Sequence, residues 1–240
     1  PWLLAKDPAT RYESAEACLA ALCRATGRPT PPETIAIRES FLQAAQFVGR
    51  QAEVERLTAA LDRALTGRGS AWLVGGESGV GKTRLLDELR TRALVAGVLV
   101  AHGQATREAG TALQLWREPL RRLALTTPLT DLEASILQPV VPDVATLLDR
   151  EIPAGPPLEG EAGQRRLLAT IADLFRRQTW PVLLILEDLQ WAGEGLDVLR
   201  LLAPLAAERP LLVVGAYRDD EAPALPATLP GVEAIKLDRL

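Results

Sequence analysis

One stretch of eight residues combines glycine, lysine and threonine in a spacing that suits phosphate binding. It lies between the apolar run Ala71 to Val74 and a helix-like segment, and it reads Gly76-Glu77-Ser78-Gly79-Val80-Gly81-Lys82-Thr83. Glycines let the backbone wrap with its N–H groups directed at an oxyanion, and the dipole of the following helix favours negative charge. In such a loop the lysine reaches the β- and γ-phosphates of a nucleotide, and the threonine hydroxyl binds Mg²⁺. The pattern predicts a nucleotide site; the alternative is a glycine-rich turn between a strand and a helix.

A pair of acids follows the most apolar stretch of the chain. Glu187 and Asp188 come directly after the run Val182 to Leu186. Because ligands gather at the carboxyl ends of parallel strands and nucleotide-bound Mg²⁺ needs a carboxylate there, we expect the pair to join Thr83 in a Mg²⁺ site. By position, Glu187 would support the metal and Asp188 would polarise the attacking water. The alternative is two solvated acids at a strand end.

An arginine follows another apolar run. Arg218 comes just after Leu211 to Ala216 and is followed by Asp219 and Asp220. A guanidinium on the ligand side of a sheet is suited to contact the γ-phosphate, because it donates several N–H bonds to phosphate oxygens. We expect Arg218 to sense that phosphate; the alternative is an ion pair with Asp219 or Asp220.

The apolar pattern alternates between helix and strand along the chain. Helical spacing is predicted over 51–65, 83–95, 161–177 and 194–207, and short apolar runs predict strands at 71–74, 98–101, 182–186, 211–216 and 232–237. Apolar runs without polar alternation are typical of strands covered on both faces, so the sequence predicts an α/β fold with a parallel sheet between helices. Residues 103–157 contain helical pieces, including 113–125, whose function the pattern does not indicate.

Composition and net charge limit the classes of partner that we expect for this chain. The 27 basic and 31 acidic residues give a net charge of -4, so there is no broad basic field for nucleic acid or an anionic membrane. No apolar stretch is long enough to span a bilayer, and we expect a cytoplasmic protein for which neither nucleic acid nor membrane is a favoured partner. The only histidine, His102, has no catalytic neighbours in sequence, so no catalytic role is expected. Cys18 and Cys23 lie on a predicted helix without metal or redox spacing.

Four segments together resemble a known family. Phe47-Val48-Gly49-Arg50, the stretch 76–83, Leu186 to Ala192 and Tyr217 to Glu221 look, as a set, like the AAA-type ATPase module of the STAND signalling NTPases. The resemblance spans 46–240 and implies a P-loop NTPase with a three-layer parallel sheet of order 5-1-4-3-2. It also implies ATP or ADP and Mg²⁺ as cofactors, with Val48, Gly49 and Arg50 near the adenine, Gly76 to Arg84 around the phosphates, and Arg218 on the γ-phosphate. The sequence departs from the family at Gln190 and Gly193, where histidine and aspartate are frequent, and the family's helical lid would follow Leu240.

The N-terminal residues resemble a different family. Leu4-Ala5-Lys6-Asp7-Pro8-Ala9-Thr10-Arg11-Tyr12-Glu13-Ser14-Ala15 is similar to the end of the C-lobe of bacterial Ser/Thr protein kinases. The kinase glycine loop, catalytic-loop aspartate and DFG are absent from the sequence, so these residues alone cannot phosphorylate a substrate. We expect a kinase remnant of short helices over 1–25, a proline-rich linker over 26–45 and the ATPase over 46–240. Since the sequence begins at Pro1 and contains no methionine, we expect a fragment of a larger kinase.

These observations combine into one hypothesis with two alternatives. The hypothesis is a slow ATPase, with Lys82, Glu187, Asp188 and Arg218 as catalytic residues, that acts as a regulatory switch within a bacterial Ser/Thr kinase signalling protein. Its expected partners are ATP, other domains of the same polypeptide and, in a nucleotide-dependent way, further copies of itself. The partly swapped order of Glu187 and Asp188 leaves open a scaffold that holds nucleotide without hydrolysing it. A P-loop kinase for a small molecule is the third interpretation and the one that fits the acid pair least.

Overall fold

A computed structural model describes residues 15–26, 49–107, 113–155 and 160–239 of the chain. The described helices are α1 (Ala15–Thr26), α2 (Gln51–Leu65), α3 (Lys82–Val95), α4 (Arg117–Ala124), α5 (Asp131–Leu137), α6 (Val144–Leu147), α7 (Gly160–Arg176) and α8 (Gly195–Ala207). The described strands are β1 (Ser70–Gly75), β2 (Leu99–Gln104), β3 (Val182–Glu187), β4 (Leu211–Tyr217) and β5 (Glu233–Lys236). Short 3₁₀ turns cover Gln114–Trp116, Leu189–Trp191 and Leu225–Thr228.

The chain divides into two compact units, Pro1–Glu39 and Ser40–Leu240. In the first unit the described part is α1, which contains Cys18 and Cys23 as the sequence predicts; Cys23 is buried. The kinase-like residues before Ala15 and the predicted linker beyond α1 lie outside the described residues. Both assignments therefore stay predictions.

The second unit is built on a five-stranded sheet. Its strand order is β2-β3-β4-β1-β5, and every pairing is parallel. The strands are apolar because both faces of the sheet are covered, and β4 is buried along its whole length. The predicted α/β class and the order 5-1-4-3-2 are confirmed.

Helices α2 and α3 cover one face of the sheet. The apolar stripe of α2 buries Val54, Leu57 and Leu61, and Leu85 and Leu89 of α3 pack into the same cluster. The side chains of Trp72, Ile185 and Val214 belong to this cluster from the sheet side. The spacing of the apolar residues in α2 thus dictates which face meets the strands.

A larger cluster covers the opposite face. Trp116 and Phe175 are fully buried there, with their rings edge to face at a centroid distance of 6.4 Å. The Trp116 indole donates a hydrogen bond of 2.8 Å to the carbonyl of Gly195 at the start of α8. The predicted helical stretch 113–125 is therefore divided into a 3₁₀ turn, which places Trp116 in the core, and the helix α4.

The end of β2 differs from the boundary that the sequence pattern predicts. β2 continues past His102 to Gln104, because its backbone stays in register with β3 up to the pair Gln104 and Glu187. The apolar run alone did not show this extension, since His102 and Gln104 are polar.

Among the described helices, none is both long enough and apolar enough to cross a membrane.

Candidate functional site

The phosphate loop, Gly76 to Thr83, connects the carboxyl end of β1 to the first turn of α3. Gly79 and Gly81 adopt φ angles of 83° and 97°, in the left-handed region that glycine enters without steric cost. The side chains of Glu77 and Ser78 are exposed, as is Gly79. The backbone therefore wraps as the sequence predicted, between a strand end and a helix N-terminus.

The side chain of Lys82 folds back onto the backbone of its own loop. Its Nζ donates hydrogen bonds of 2.6 Å and 2.7 Å to the carbonyl oxygens of Gly76 and Glu77. Burial, followed by the positive charge of Arg218, lowers the pKa of the Lys82 ammonium, while Asp219 and Asp188 oppose the shift. Lys82 and Arg218 are thus close enough for their charges to interact, in a region that also holds the carboxylates of Asp219 and Asp188.

Thr83 joins the loop to the acidic end of β3. Its Oγ1 donates a hydrogen bond of 2.8 Å to Oε2 of Glu187. A hydroxyl and a carboxylate at this spacing are the hard oxygen ligands that Mg²⁺ prefers. Within the described ranges no three His, Cys, Asp or Glu side chains are placed to hold a metal ion. Phosphate oxygens and water would therefore have to complete a magnesium site here.

Glu187 has a second partner that the sequence did not indicate. Nε2 of His102 lies 2.8 Å from Oε1 of Glu187. The hydrogen bond with His102, and then that with Thr83, lowers the pKa of Glu187, although burial opposes the shift. Burial, and then the negative charge of Glu187, raise the pKa of Asp87 in α3. His102 is therefore in contact with a predicted site residue, which the sequence did not indicate, while its lack of a catalytic role stays a prediction.

Asp188 is held by amide groups. Its backbone is left-handed, with a φ of 57°, as the chain turns from β3 into the 3₁₀ turn. Gln104 donates to Oδ2 at 2.9 Å, and Gln190 donates to Oδ1 at 3.3 Å. The Oε1 atom of Gln190 also accepts a 3.1 Å hydrogen bond from the backbone N–H of Arg218. Gln104 and Gln190 thus connect the ends of β2, β3 and β4.

Arg218 is paired with a different acid from the two considered at the sequence level. Its Nη1 donates to Oε1 of Glu221 at 2.7 Å, and its guanidinium lies 5.2 Å from the ring centroid of Trp191. The Trp191 indole donates to Oε2 of the same carboxylate at 3.0 Å. The pairing with Glu221 spans one turn of chain after β4, so Arg218 is held beside the site by Glu221 and Trp191.

Of the three predicted base-binding residues, Arg50 lies beside the loop. Val48 is outside the described residues, whereas Gly49 is exposed and Arg50 is buried. The Arg50 side chain donates to the backbone carbonyl of Asp238, and its Nη2 lies 3.5 Å from the carbonyl oxygen of Val80. Arg50 therefore ties the segment before α2 to the loop and to the end of β5.

A cleft of about 250 Å³ lies next to these contacts. Val80, Leu237 and Arg239 are among its lining residues. Arg84, the last of the predicted phosphate residues, is half-buried in the first turn of α3. The structure thus brings Lys82, Thr83, Glu187, Asp188 and Arg218 to one edge of the sheet, and it places Arg50 beside the loop.

Solved structures with a similar fold have low sequence identity to this chain. Aeropyrum pernix ORC1 in complex with DNA is 18% identical over 85% of this chain and 48% of its own, with a TM-score of 0.47. AMPPCP-bound DnaA from Aquifex aeolicus is 15% identical over 80% of this chain and 48% of its own, with a TM-score of 0.37. Drosophila ORC bound to DNA is 12% identical, with coverages of 84% and 91% and a TM-score of 0.41. The chain spans about half the length of the A. pernix protein, and at these identities the similarities say nothing about its ligands.

Comparison of the sequence itself gives a family. No curated protein is a significant match. The model of the AAA ATPase domain matches residues 46–214, which is more than half of the chain and includes the phosphate loop, the acid pair and most of β4. The chain therefore belongs to the AAA ATPase domain family.

Proposed function

We propose that the chain is an ATP-binding and ATP-hydrolysing switch module. The observation that supports this proposal best is the 2.8 Å hydrogen bond between Thr83 and Glu187, which joins the phosphate loop to the acidic end of β3. A glycine-rich turn without a ligand role has no need of a hydroxyl facing a carboxylate from a strand more than a hundred residues later. As ligands of one cation, the two groups would have a reason to be adjacent.

Each residue of the site then has a role. Lys82 exchanges its bonds to the loop carbonyls for the β- and γ-phosphates, and the backbone of Gly76 to Thr83 surrounds them. Arg218 contacts the γ-phosphate. To do so, its guanidinium either gives up its hydrogen bond to Glu221 or keeps that bond alongside the new contact. Asp188 orients and polarises the attacking water, while Gln104 and Gln190 hold its carboxylate. Val48, Gly49 and Arg50 border the base.

Thr83 and Glu187, with Asp188 nearby, would hold Mg²⁺ together with phosphate oxygens. The donor set fits this ion, because it consists of oxygen ligands and leaves positions for water and nucleotide. The metal would neutralise charge on the β- and γ-phosphates.

A nucleotide-holding scaffold is the second candidate. It is favoured by the contacts of Asp188, because both carboxylate oxygens already accept amide hydrogens from Gln104 and Gln190. These hydrogen bonds leave fewer lone pairs of the Asp188 carboxylate free to contact the attacking water. Both candidates bind ATP, but only the switch module hydrolyses it.

Phosphate release from Mg-ATP separates them. We expect the unaltered chain to release phosphate slowly, and Asp188→Asn to lower the rate by about 100-fold or more while ATP still binds. Asp62→Asn, which changes an exposed acid of α2, is the control and should leave the rate unchanged. Phosphate release by the unaltered chain that equals release in buffer would establish the scaffold instead.

We also propose that this module belongs to a STAND-type Ser/Thr kinase signalling protein of the bacterial cytoplasm. The support is the resemblance of Leu4 to Ala15 to the end of a kinase C-lobe and of the four site segments to STAND modules. The reading frame upstream of Pro1 should encode the kinase glycine loop, catalytic aspartate and DFG. A frame without them would contradict the kinase assignment and leave the ATPase proposal intact.

A further inference from the structure

We infer that His102 is a positioning residue: it fixes the orientation of Glu187 and thereby sets the affinity of the phosphate loop for nucleotide-bound divalent metal. The inference rests on the proposed function. It concerns the imidazole of β2, which is separated from Glu187 by 85 positions in sequence.

The sheet register brings the two residues together. His102 is paired with Ile185, and Glu187 is two residues further along β3. Because side chains alternate between faces along a strand, Ile185 and Glu187 share a face with His102. That face is the one covered by α2 and α3, since Ile185 packs in the cluster with Leu85 and Leu89. Thr83 approaches Glu187 from α3 on this same face.

Glu187 is consequently held at both oxygens. Thr83 donates to Oε2 and His102 contacts Oε1, each at 2.8 Å. A glutamate side chain has several rotatable bonds, and restricting them costs conformational entropy that a binding ion would otherwise have to supply. A bond at each oxygen restricts rotation of the carboxylate and keeps Oε2 directed at Thr83. Metal-binding carboxylates in proteins depend on such outer partners.

A nearby acid increases the need for this restraint. Asp87 lies one helical turn after Thr83, and the negative charge of Glu187 acts on it. Two acids in a partly buried space repel each other, and a hydrogen-bond donor on Glu187 opposes a displacement of its carboxylate by that repulsion. His102 supplies a donor on the side of Glu187 away from Thr83.

The imidazole contributes little to the core. Its side chain is 44% exposed, whereas that of Glu187 is 16% exposed. Replacement of His102 should therefore change the metal affinity more than the stability of the fold. This difference separates a positioning role from a merely structural one.

The test compares two variants of similar size in the full chain. His102→Leu removes the N–H donor, and His102→Gln keeps one. Mn²⁺ binding is measured in the presence of a non-hydrolysable ATP analogue, from the electron paramagnetic resonance signal of the free ion. We expect the Mn²⁺ dissociation constant to rise by about ten-fold or more in His102→Leu. We expect most of this loss to be recovered in His102→Gln.

Binding of the analogue in excess EDTA is the folding control, and it should be equal in all three proteins. Unchanged Mn²⁺ affinity in a His102→Leu variant that still binds the analogue would overturn the inference. Equal losses in His102→Leu and His102→Gln would overturn it as well, because the donor would then be irrelevant. Failure of the unaltered chain to bind the analogue at all would instead refute the proposed function, and the inference with it.

Discussion

The phosphate loop and the polar groups at the ends of β2 and β3 are the two halves of the candidate site, but they are built in different ways. The loop consists of consecutive residues, and its internal contacts are short-range, such as the bonds from Lys82 to Gly76 and Glu77. The strand-end cluster, defined as His102, Gln104, Glu187, Asp188 and Gln190, is assembled from two separate stretches of chain. Its geometry depends on the register between strands.

This difference has a physical consequence. A loop defined by backbone conformation and one lysine should lose its function abruptly when that lysine is removed. A cluster of side chains that support one another should respond in graded steps, because each member acts through its neighbours. The cluster should also be sensitive to anything that shifts β2 against its packing partners.

Gly103→Ala would disturb the cluster most strongly. A Cβ at Gly103, between His102 and Gln104, would lie 2.1 Å from the carbonyl oxygen of Leu115, so the 3₁₀ turn or β2 must move. We expect the free energy of unfolding to fall by about 3 kcal/mol, the upper range for overpacked cores. Urea unfolding followed by circular dichroism would measure the change.

Gly79→Ala is the matched control from the loop. A Cβ there has no heavy atom within 4 Å, but the residue has a φ of 83°. Only the left-handed backbone opposes the substitution, and the cost should be about 1 kcal/mol. Equal destabilisation by the two substitutions would contradict the distinction between a loop defined by backbone angles and a strand end defined by packing.

The sequence predicted the loop and the fold well because their signals are local. Strand β1, the glycines and α3 are contiguous, and uniformly apolar strands such as Val182 to Leu186 indicate a parallel sheet without further information. The same is true of the acid pair, which lies at the carboxyl end of its strand. The strand order is different, because apolar runs do not determine which strands are neighbours; it was implied by the family resemblance.

The cluster was only partly predictable, because its contacts are long-range. His102 interrupts an apolar run, so β2 was expected to end near it, and nothing local relates it to Glu187. A usable signal was the alternation of His102 and Gln104, which places both polar side chains on one face of a strand. The contact of Arg50 with Asp238 joins residues 188 positions apart and has no sequence signal of this kind.

Arg218→Ala tests whether the end of β4 senses the γ-phosphate. Loss of hydrogen bonds to a charged phosphate should lower the affinity for ATP by about ten-fold or more, with a much smaller effect on ADP. Arg200→Ala is the control, because Arg200 also pairs with an acid three residues away, Asp197, but on helix α8. Equal losses for ATP and ADP would show that Arg218 supports the fold and does not sense the γ-phosphate. Calorimetric titration gives both affinities.

The smallest effect is expected for Arg239→Ala. Arg239 donates to the Glu77 carboxylate of the loop at 2.9 Å, but the two side chains are 81% and 51% exposed. Exposed ion pairs contribute roughly 0.2–1 kcal/mol, so the affinity for Mg-ATP should change by less than about five-fold. A larger loss would mean that the segment after β5 belongs to the nucleotide site, and the loop would then depend on distant contacts as the cluster does.

The most direct test of the account is calorimetric titration of Mg-ATP into the unaltered chain and into Lys82→Ala. Lys6→Ala, which changes a lysine of the N-terminal unit, is the control for loss of a positive charge. We predict binding in the unaltered chain and in Lys6→Ala, and no measurable binding in Lys82→Ala, with the same unfolding transition in all three. Equal affinity in Lys82→Ala would contradict the assignment of Gly76 to Thr83 as the phosphate loop.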